Sequence, residues 1–170
     1  MPQTPSQALG FLLGLWIAAW LLLPRPAAGG TLAGAGDSDA LEAALCDAVN
    51  GVRARAGLIE LRRDAALDAV ARAHSRDMAV RGYFAHETPE GLTPPDRLRR
   101  AGVRGITLAG ENVGLTSRGD PNREILEGWL ASPVHRDNLL APAFNATGLG
   151  VARSADGTLY YTQVYVTVPR

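Results

Sequence analysis

Hydrophobic periodicity changes once along this chain, and that change does most to limit what it can fold into. Between Leu41 and Leu130 apolar residues recur mainly every three or four positions, the spacing of helices, whereas from Gly148 onward they alternate as half-buried strands do. Helices first and antiparallel strands last predict an α+β domain in which helices cover a small sheet. The first helix runs from a capping box at Asp39 and Glu42, through Leu41, Leu45, Ala48 and Val52, to a stop at Gly57. Asp64 caps the second, with Leu67, Val70, Ala71, His74 and Met78 on one face and Gly82 at its end. Thr93-Pro94-Pro95-Asp96 opens a short helix that ends at Gly102, and Asp120-Pro121 opens another with Ile125, Leu126, Trp129 and Leu130 inward. Ser132-Pro133 closes that helix and starts a further turn. Tyr83–Leu92 reads as loop, and a stretch punctuated by Gly105, Gly110, Gly114 and Gly119 precedes the Asp120 helix without a pattern that assigns it an element. Gly148–Ser154 and Thr158–Val168 form a hairpin about Ala155-Asp156-Gly157.

The N-terminus carries an address. Phe11–Leu23 is an uncharged apolar run, short for a membrane span and suited to a secretory signal, with cleavage after Ala28 or after Ala33-Gly34-Ala35. The segment before it has no Arg or Lys and Arg25 follows it, the reverse of the usual bias, so an uncleaved anchor is the alternative. Residues 1–35 are therefore the leader and 36–170 a single domain, secreted or in the periplasm or cell envelope, touching membrane only through an uncleaved N-terminus.

Charge and cysteine content exclude several classes. The 17 basic side chains, all Arg, balance 17 acidic ones. A nucleic-acid binder needs a positive surplus to displace phosphate counterions, so nucleic acid is not an expected partner. The lone Cys46 cannot close an intrachain disulfide and is read as a small core residue. The domain is expected to be a monomer. The Arg62-Arg63 and Arg99-Arg100 pairs read as solvated helix ends.

Imidazole chemistry is limited to His74, His86 and His135. His74 falls on the apolar stripe of the second helix with Asp77 three residues on, and reads as a satisfied core residue. His86-Glu87-Thr88-Pro89 lacks the second histidine of a zinc-protease helix. Ser132 and His135 invite a nucleophile and base pairing, but a serine before proline at a helix start normally spends its oxygen on first-turn amides, and no Gly-x-Ser-x-Gly elbow surrounds it. Tyr160, Tyr161 and Tyr165 alternate with valines in the last strand as sheet packing does, and Gln163 there is read as architectural.

Six segments occur in order: Asn50-x-x-Arg53 with Gly57-Leu58, Tyr83-Phe84-Ala85-His86, Asp96-Arg97-Leu98, Gly110-Glu111-Asn112, Trp129 through Asn138, and Tyr161-Thr162-Gln163-Val164. Together they resemble the CAP superfamily (cysteine-rich secretory proteins, antigen 5 and pathogenesis-related 1; the SCP domain), closest in its bacterial branch, over about Leu41 to Val168. The resemblance implies a three-layer α-β-α sandwich with a mainly antiparallel sheet, and a cleft lined by two His and two Glu that in some members holds a divalent metal. His86 and Glu111 match two of those four. Ser132 and Tyr160 stand where many members have the second Glu and the second His, and the resemblance offers His135 as a replacement imidazole. Its implied ligand set is His86, Glu111 and His135, able to hold Zn²⁺ with water in the fourth place, with Asn112, Ser132 and Tyr160 lining the cleft. The expected function is an exported binding module for a small molecule, a lipid or an envelope component. The alternative is a metal- or His/Glu-dependent hydrolase acting outside the cytoplasm.

Overall fold

The computed structural model describes residues 35–169, so the leader expected at 1–35 lies almost wholly outside the described residues. Five helices and four strands follow in the order α1 (Ala35–Arg55), β1 (Arg62–Arg63), α2 (Ala65–Arg81), α3 (Pro94–Arg100), β2 (Leu108–Thr116), α4 (Pro121–Ala131), α5 (Pro133–Leu140), β3 (Ala146–Arg153) and β4 (Leu159–Thr167). The sheet order is β1-β3-β4-β2, antiparallel throughout except for the short β1–β3 pair. Among the described residues no helix is long and apolar enough to cross a membrane.

Two cores form because β3 and β4 send alternate side chains to opposite faces. On one face Leu149, Val151, Tyr161 and Tyr165 pack against Leu45 and Val49 of α1, Ile125 and Trp129 of α4 and Leu139 of α5. On the other, Ala146, Val164 and Val166 meet Leu67, Val70 and Ala71 of α2 and Leu98 of α3. The result is the expected α-β-α layering. Cys46 is free and buried in the first core, where burial pushes its thiol pKa up.

Local signals account for the helix ends. Asp64 accepts from the amides of Ala66 and Leu67 at 3.0 and 3.4 Å, and Gly82 ends α2 at φ 69°. Thr93 and Asp96 form a reciprocal capping box at the start of α3. Three expectations need correction, and one unassigned stretch finds its place. Helix α1 begins at Ala35, so Asp39 and Glu42 lie inside it and form no capping box. Glu42 is instead fully buried, bonded to Arg63 and Arg72 and to the Val151 amide at 3.1 Å, and tertiary pairing overrides the local capping signal. Arg63 consequently is no solvated end, since it also reaches Asp68 at 2.9 Å. Leu108–Thr116, within the glycine-punctuated stretch that the sequence leaves unassigned, is the longer of the two outer strands of the sheet. Ser132 makes no side-chain cap bond to α5.

The Arg53 guanidinium is buried without a carboxylate and donates to the carbonyls of Ile59, Leu139, Ala141 and Phe144, joining α1 to the end of α5. Burial lowers its pKa, and those four carbonyl dipoles replace its lost hydration.

Helix α2 lies directly on β3 because Gly148 and Gly150 present no side chain there. A Cβ at Gly150 would stand 2.1 Å from the Arg72 nitrogen, and one at Gly148 2.1 Å from the Leu67 carbonyl carbon, both backbone atoms that cannot rotate aside. Gly150→Ala is expected to cost about 2–3 kcal/mol by forcing the two layers apart. Urea unfolding checks this, and a loss below about 0.5 kcal/mol would show that the contact adjusts freely.

Candidate functional site

The site is assembled around the outer edge of β2. Glu111 points to the α2–α3 face, where its side chain is only 2% exposed. One of its oxygens meets the His86 ring and the other the Arg97 guanidinium of α3. Arg97 also donates to the His86 and Leu92 carbonyls at 2.7 and 3.1 Å, tying the 83–92 loop to α3. His86 Nδ1 lies 3.0 Å from the carboxylate, so Nδ1 carries the proton and Nε2 is left as an acceptor. The His86 side chain is 45% exposed: a solvent-facing imidazole held by a buried carboxylate.

His135 arrives from the opposite layer, on the first turn of α5. Its ring centroid is 6.2 Å from that of His86. Burial and then the neighbouring His86 lower its pKa, which favours the neutral ring. Ser132 is half-buried and shares with His135 a hollow of about 340 Å³ between β2 and α4. No hydrogen bond joins Ser132 to either imidazole among the described residues, so no nucleophile–base pair is assembled. The structure thus brings His86, Glu111 and His135 to one place, with Ser132 beside them.

Asn112 and Tyr160 are placed elsewhere. Asn112 faces the other side of the sheet, fully buried, where it donates to the His135 carbonyl at 2.9 Å and accepts from Asn138 at 3.0 Å. It therefore holds α5, and His135 with it, without lining the cleft. Tyr160 stands opposite Leu115, about 13 Å along the strand from Glu111. Gln163 is buried and bonds Thr147 and Tyr165, an architectural place. Arg97 is the residue that sequence reasoning leaves out, and its only signal is membership of the Asp96-Arg97-Leu98 motif.

This donor set does not suit a divalent cation. Both oxygens of Glu111 are engaged, one by a permanently charged guanidinium that would repel a metal at the same carboxylate, and His86 has spent Nδ1 on that carboxylate. Two imidazole nitrogens remain, fewer than a stable zinc site uses. Among the described residues no group of three His, Cys, Asp or Glu side chains is arranged to hold a metal ion.

Behind the cleft lies His74, buried, its Nε2 3.0 Å from the Ala85 carbonyl rather than on Asp77, whose carboxylate accepts from Tyr83 and Arg81. Its Nε2 therefore carries the proton, and its Nδ1 has no partner, as is also true of Arg97 Nε. Burial depresses the His74 pKa below the ordinary imidazole value; more weakly, Glu111 raises it and Arg97 lowers it further. A histidine with a lowered folded pKa contributes stability above the unfolded value of about 6.5 and loses it as pH falls toward the folded pKa. Thermal melts should therefore decline as pH falls through about 6.5 and below. His74→Gln, able to keep the bond to Ala85, should flatten that decline, and an unchanged slope would assign the acid sensitivity to other groups.

Three proteins are similar to this chain in sequence or structure. The Bacillus subtilis protein YkwD is 32% identical over 127 residues, covering 75% of this chain and 47% of the relative. The Bacillus subtilis membrane protein YlbC is 34% identical over 125 residues, covering 74% and 34%. A crystal structure of an extracellular protein containing a SCP domain from Bacillus anthracis superposes with TM-score 0.66 at 36% identity, covering 76% of this chain and 41% of that one. The chain thus spans less than half the length of each. The cysteine-rich secretory protein (CAP) family matches residues 46–165, a stretch holding His74, His86, Arg97, Glu111 and His135. Layering, sheet order and this match agree, and the chain belongs to the CAP family.

Proposed function

We propose that this CAP domain acts outside the cytoplasm as a binding module, its cleft across the β2 edge recognising a polar component of the cell envelope or its surroundings. The observation that carries the reading is the buried Arg97–Glu111 pair behind a half-exposed His86. A surface imidazole needs no such support merely to be soluble. Burying a carboxylate is costly unless it is paired, and here the pairing fixes the tautomer and the ring direction of one exposed acceptor. With His135 beside it, the cleft offers two imidazoles suited to hydroxyl and amide donors. The relatives support the location: one is described as extracellular and another as a membrane protein.

Cosedimentation of the exported protein with purified envelope polymer and with envelope-lipid vesicles tests the proposal. His86→Ala should weaken capture by about tenfold or more, the order expected when a hydrogen bond to a buried or charged group is lost. Capture equal to that of the parent protein would remove His86 from recognition. Elemental analysis of the exported protein should find no stoichiometric zinc, and one zinc per chain would restore the His86, Glu111 and His135 ligand set.

A hydrolase is the second reading, favoured by one feature. An imidazole oriented by a carboxylate through Nδ1, with Nε2 open, is the arrangement of a general base able to take a proton from water. Among the described residues no side-chain hydroxyl or thiol, Ser132 included, is hydrogen-bonded to it, so water would be the attacking group. Release of product from peptide, ester or glycan substrates, lost in the His86→Ala/Glu111→Ala double variant, would establish this reading over simple binding.

A further inference from the structure

The unspent hydrogen-bonding capacity of β2 points to the chemistry of the occupant. Strand β2 is the outer strand of the sheet. Thr167 O accepts from Thr107 N across the β2–β4 pair, and Val166 O accepts from Asn145 N on the other side. Main-chain groups alternate along a strand, so Tyr161, Gln163 and Tyr165 bond β2 through their partners Gly114, Asn112 and Gly110. Glu111, Val113 and Leu115 consequently turn their N–H and C=O groups outward. Side chains from the helices fill part of that row: Asn138 donates to the Glu111 carbonyl at 3.0 Å and Trp129 to the Val113 carbonyl at 2.9 Å. At Leu115 no side chain among the described residues bonds the main chain, and the residue is 44% exposed.

Alongside this open stretch runs the hollow of about 340 Å³, bounded by Val113, Leu115, Glu124, Gly128, Ser132 and His135. Gly128 leaves its α4 wall bare, and a Cβ there would meet nothing within 4 Å. The hollow ends at His135, whose ring faces that of His86 across the strand edge.

We propose that the cleft takes an extended peptide segment, laid against the outer edge of β2 from Leu115 toward His135 and His86. This assignment rests on the reading of the cleft as a recognition site and names the class of its ligand. An outward N–H and C=O at Leu115, with a further N–H at Val113 two residues away, present donors and acceptors at the repeat of another strand, about 6.8 Å. A sugar chain has no such main-chain repeat. The peptide adds a strand at Leu115, and its next peptide group passes the two imidazoles.

The test uses the exported protein and two probes, acetyl-Thr-Val-Thr-Val-amide and the same peptide with alternate amides N-methylated, read by amide shifts in ¹⁵N-resolved NMR. The parent peptide should shift Val113 and Leu115 most, and N-methylation should weaken it at least tenfold. Leu115→Pro removes the outward N–H without touching the bonds to β4, and should abolish binding while Leu115→Ala keeps it within threefold. Gly128→Leu, on an exposed helix surface, should also abolish it by filling the hollow, which keeps the test decisive if the proline variant fails to fold. Equal affinity for both probes, shifts confined to other residues, or no shift at millimolar peptide overturns the proposal. So does sedimentation showing a dimer that Gly128→Leu dissolves, because the edge then serves a second copy of this chain. Envelope capture that needs His86 but survives Gly128→Leu would sink the peptide assignment alone. Peptide binding at Leu115 that is indifferent to His86→Ala would uphold the edge and sink His86 as its recognition group.

Discussion

The site depends on one buried carboxylate. Glu111 sits on β2, Arg97 on α3 and His86 in the loop between α2 and α3, so three separate stretches of chain converge on two oxygen atoms. Each partner alone would be poorly held. Arg97 secures the carboxylate against its desolvation, and the carboxylate then has a lone pair left to orient an imidazole that is otherwise free to rotate in solvent. The same guanidinium reaches two carbonyls of the loop, so the pair sets both the direction of the His86 ring and the path of the backbone carrying it. A cation built into that position also separates this cleft from a metal centre, because it supplies the positive charge that a metal would bring.

Placement of the pair relies on the sheet and on what covers it. β2 joins the sheet through nine paired residues with β4, and β4 is held in turn by β3, against which α2 lies at backbone contact over Gly148 and Gly150. On the far face Asn112 clamps the first turn of α5 through the His135 carbonyl and Asn138. Glu111 and Asn112 are adjacent in sequence, and the pleat sends them to opposite layers. One fixes His86 from the α2–α3 side and the other fixes the backbone of His135 from the α4–α5 side. Two consecutive residues of an outer strand thereby bring two imidazoles from different layers to within 6.2 Å.

Much of this was legible in the sequence, for identifiable reasons. Caps at Asp64, Thr93 and Asp120 and the stop at Gly82 are local, and local signals survive folding. The β3–β4 hairpin announced itself by alternation and by Gly157. Strand β2 did not, because Gly110 and Gly114 resemble loop residues until the layer beneath is known. A Cβ at Gly114 would lie 2.7 Å from Ile125, and one at Gly110 2.9 Å from Phe144, so those glycines record close packing instead of turns. Asp39 and Glu42 misled in the opposite sense, a capping pattern whose carboxylates serve distant arginines. Family motifs single out His86 and Glu111, while nothing local distinguishes Arg97, near a helix start, from a solvated arginine.

The two edges of the sheet are managed differently, and the difference bears on function. At one edge β1 is two residues long and both are arginines, a short charged border that offers little to a passing strand. At the other, β2 is nine residues long, and a strand of that length left bare invites unwanted pairing. Helix side chains cover it at Glu111 and Val113 through Asn138 and Trp129, and then stop. Had the edge been covered for protection alone, the α4 position beside Trp129 would be expected to carry a side chain toward Leu115, where Gly128 carries none. The opening therefore coincides with a helix position lacking a side chain and with the approach to the oriented His86 ring and to His135 beside it, an agreement among three elements that packing alone does not require.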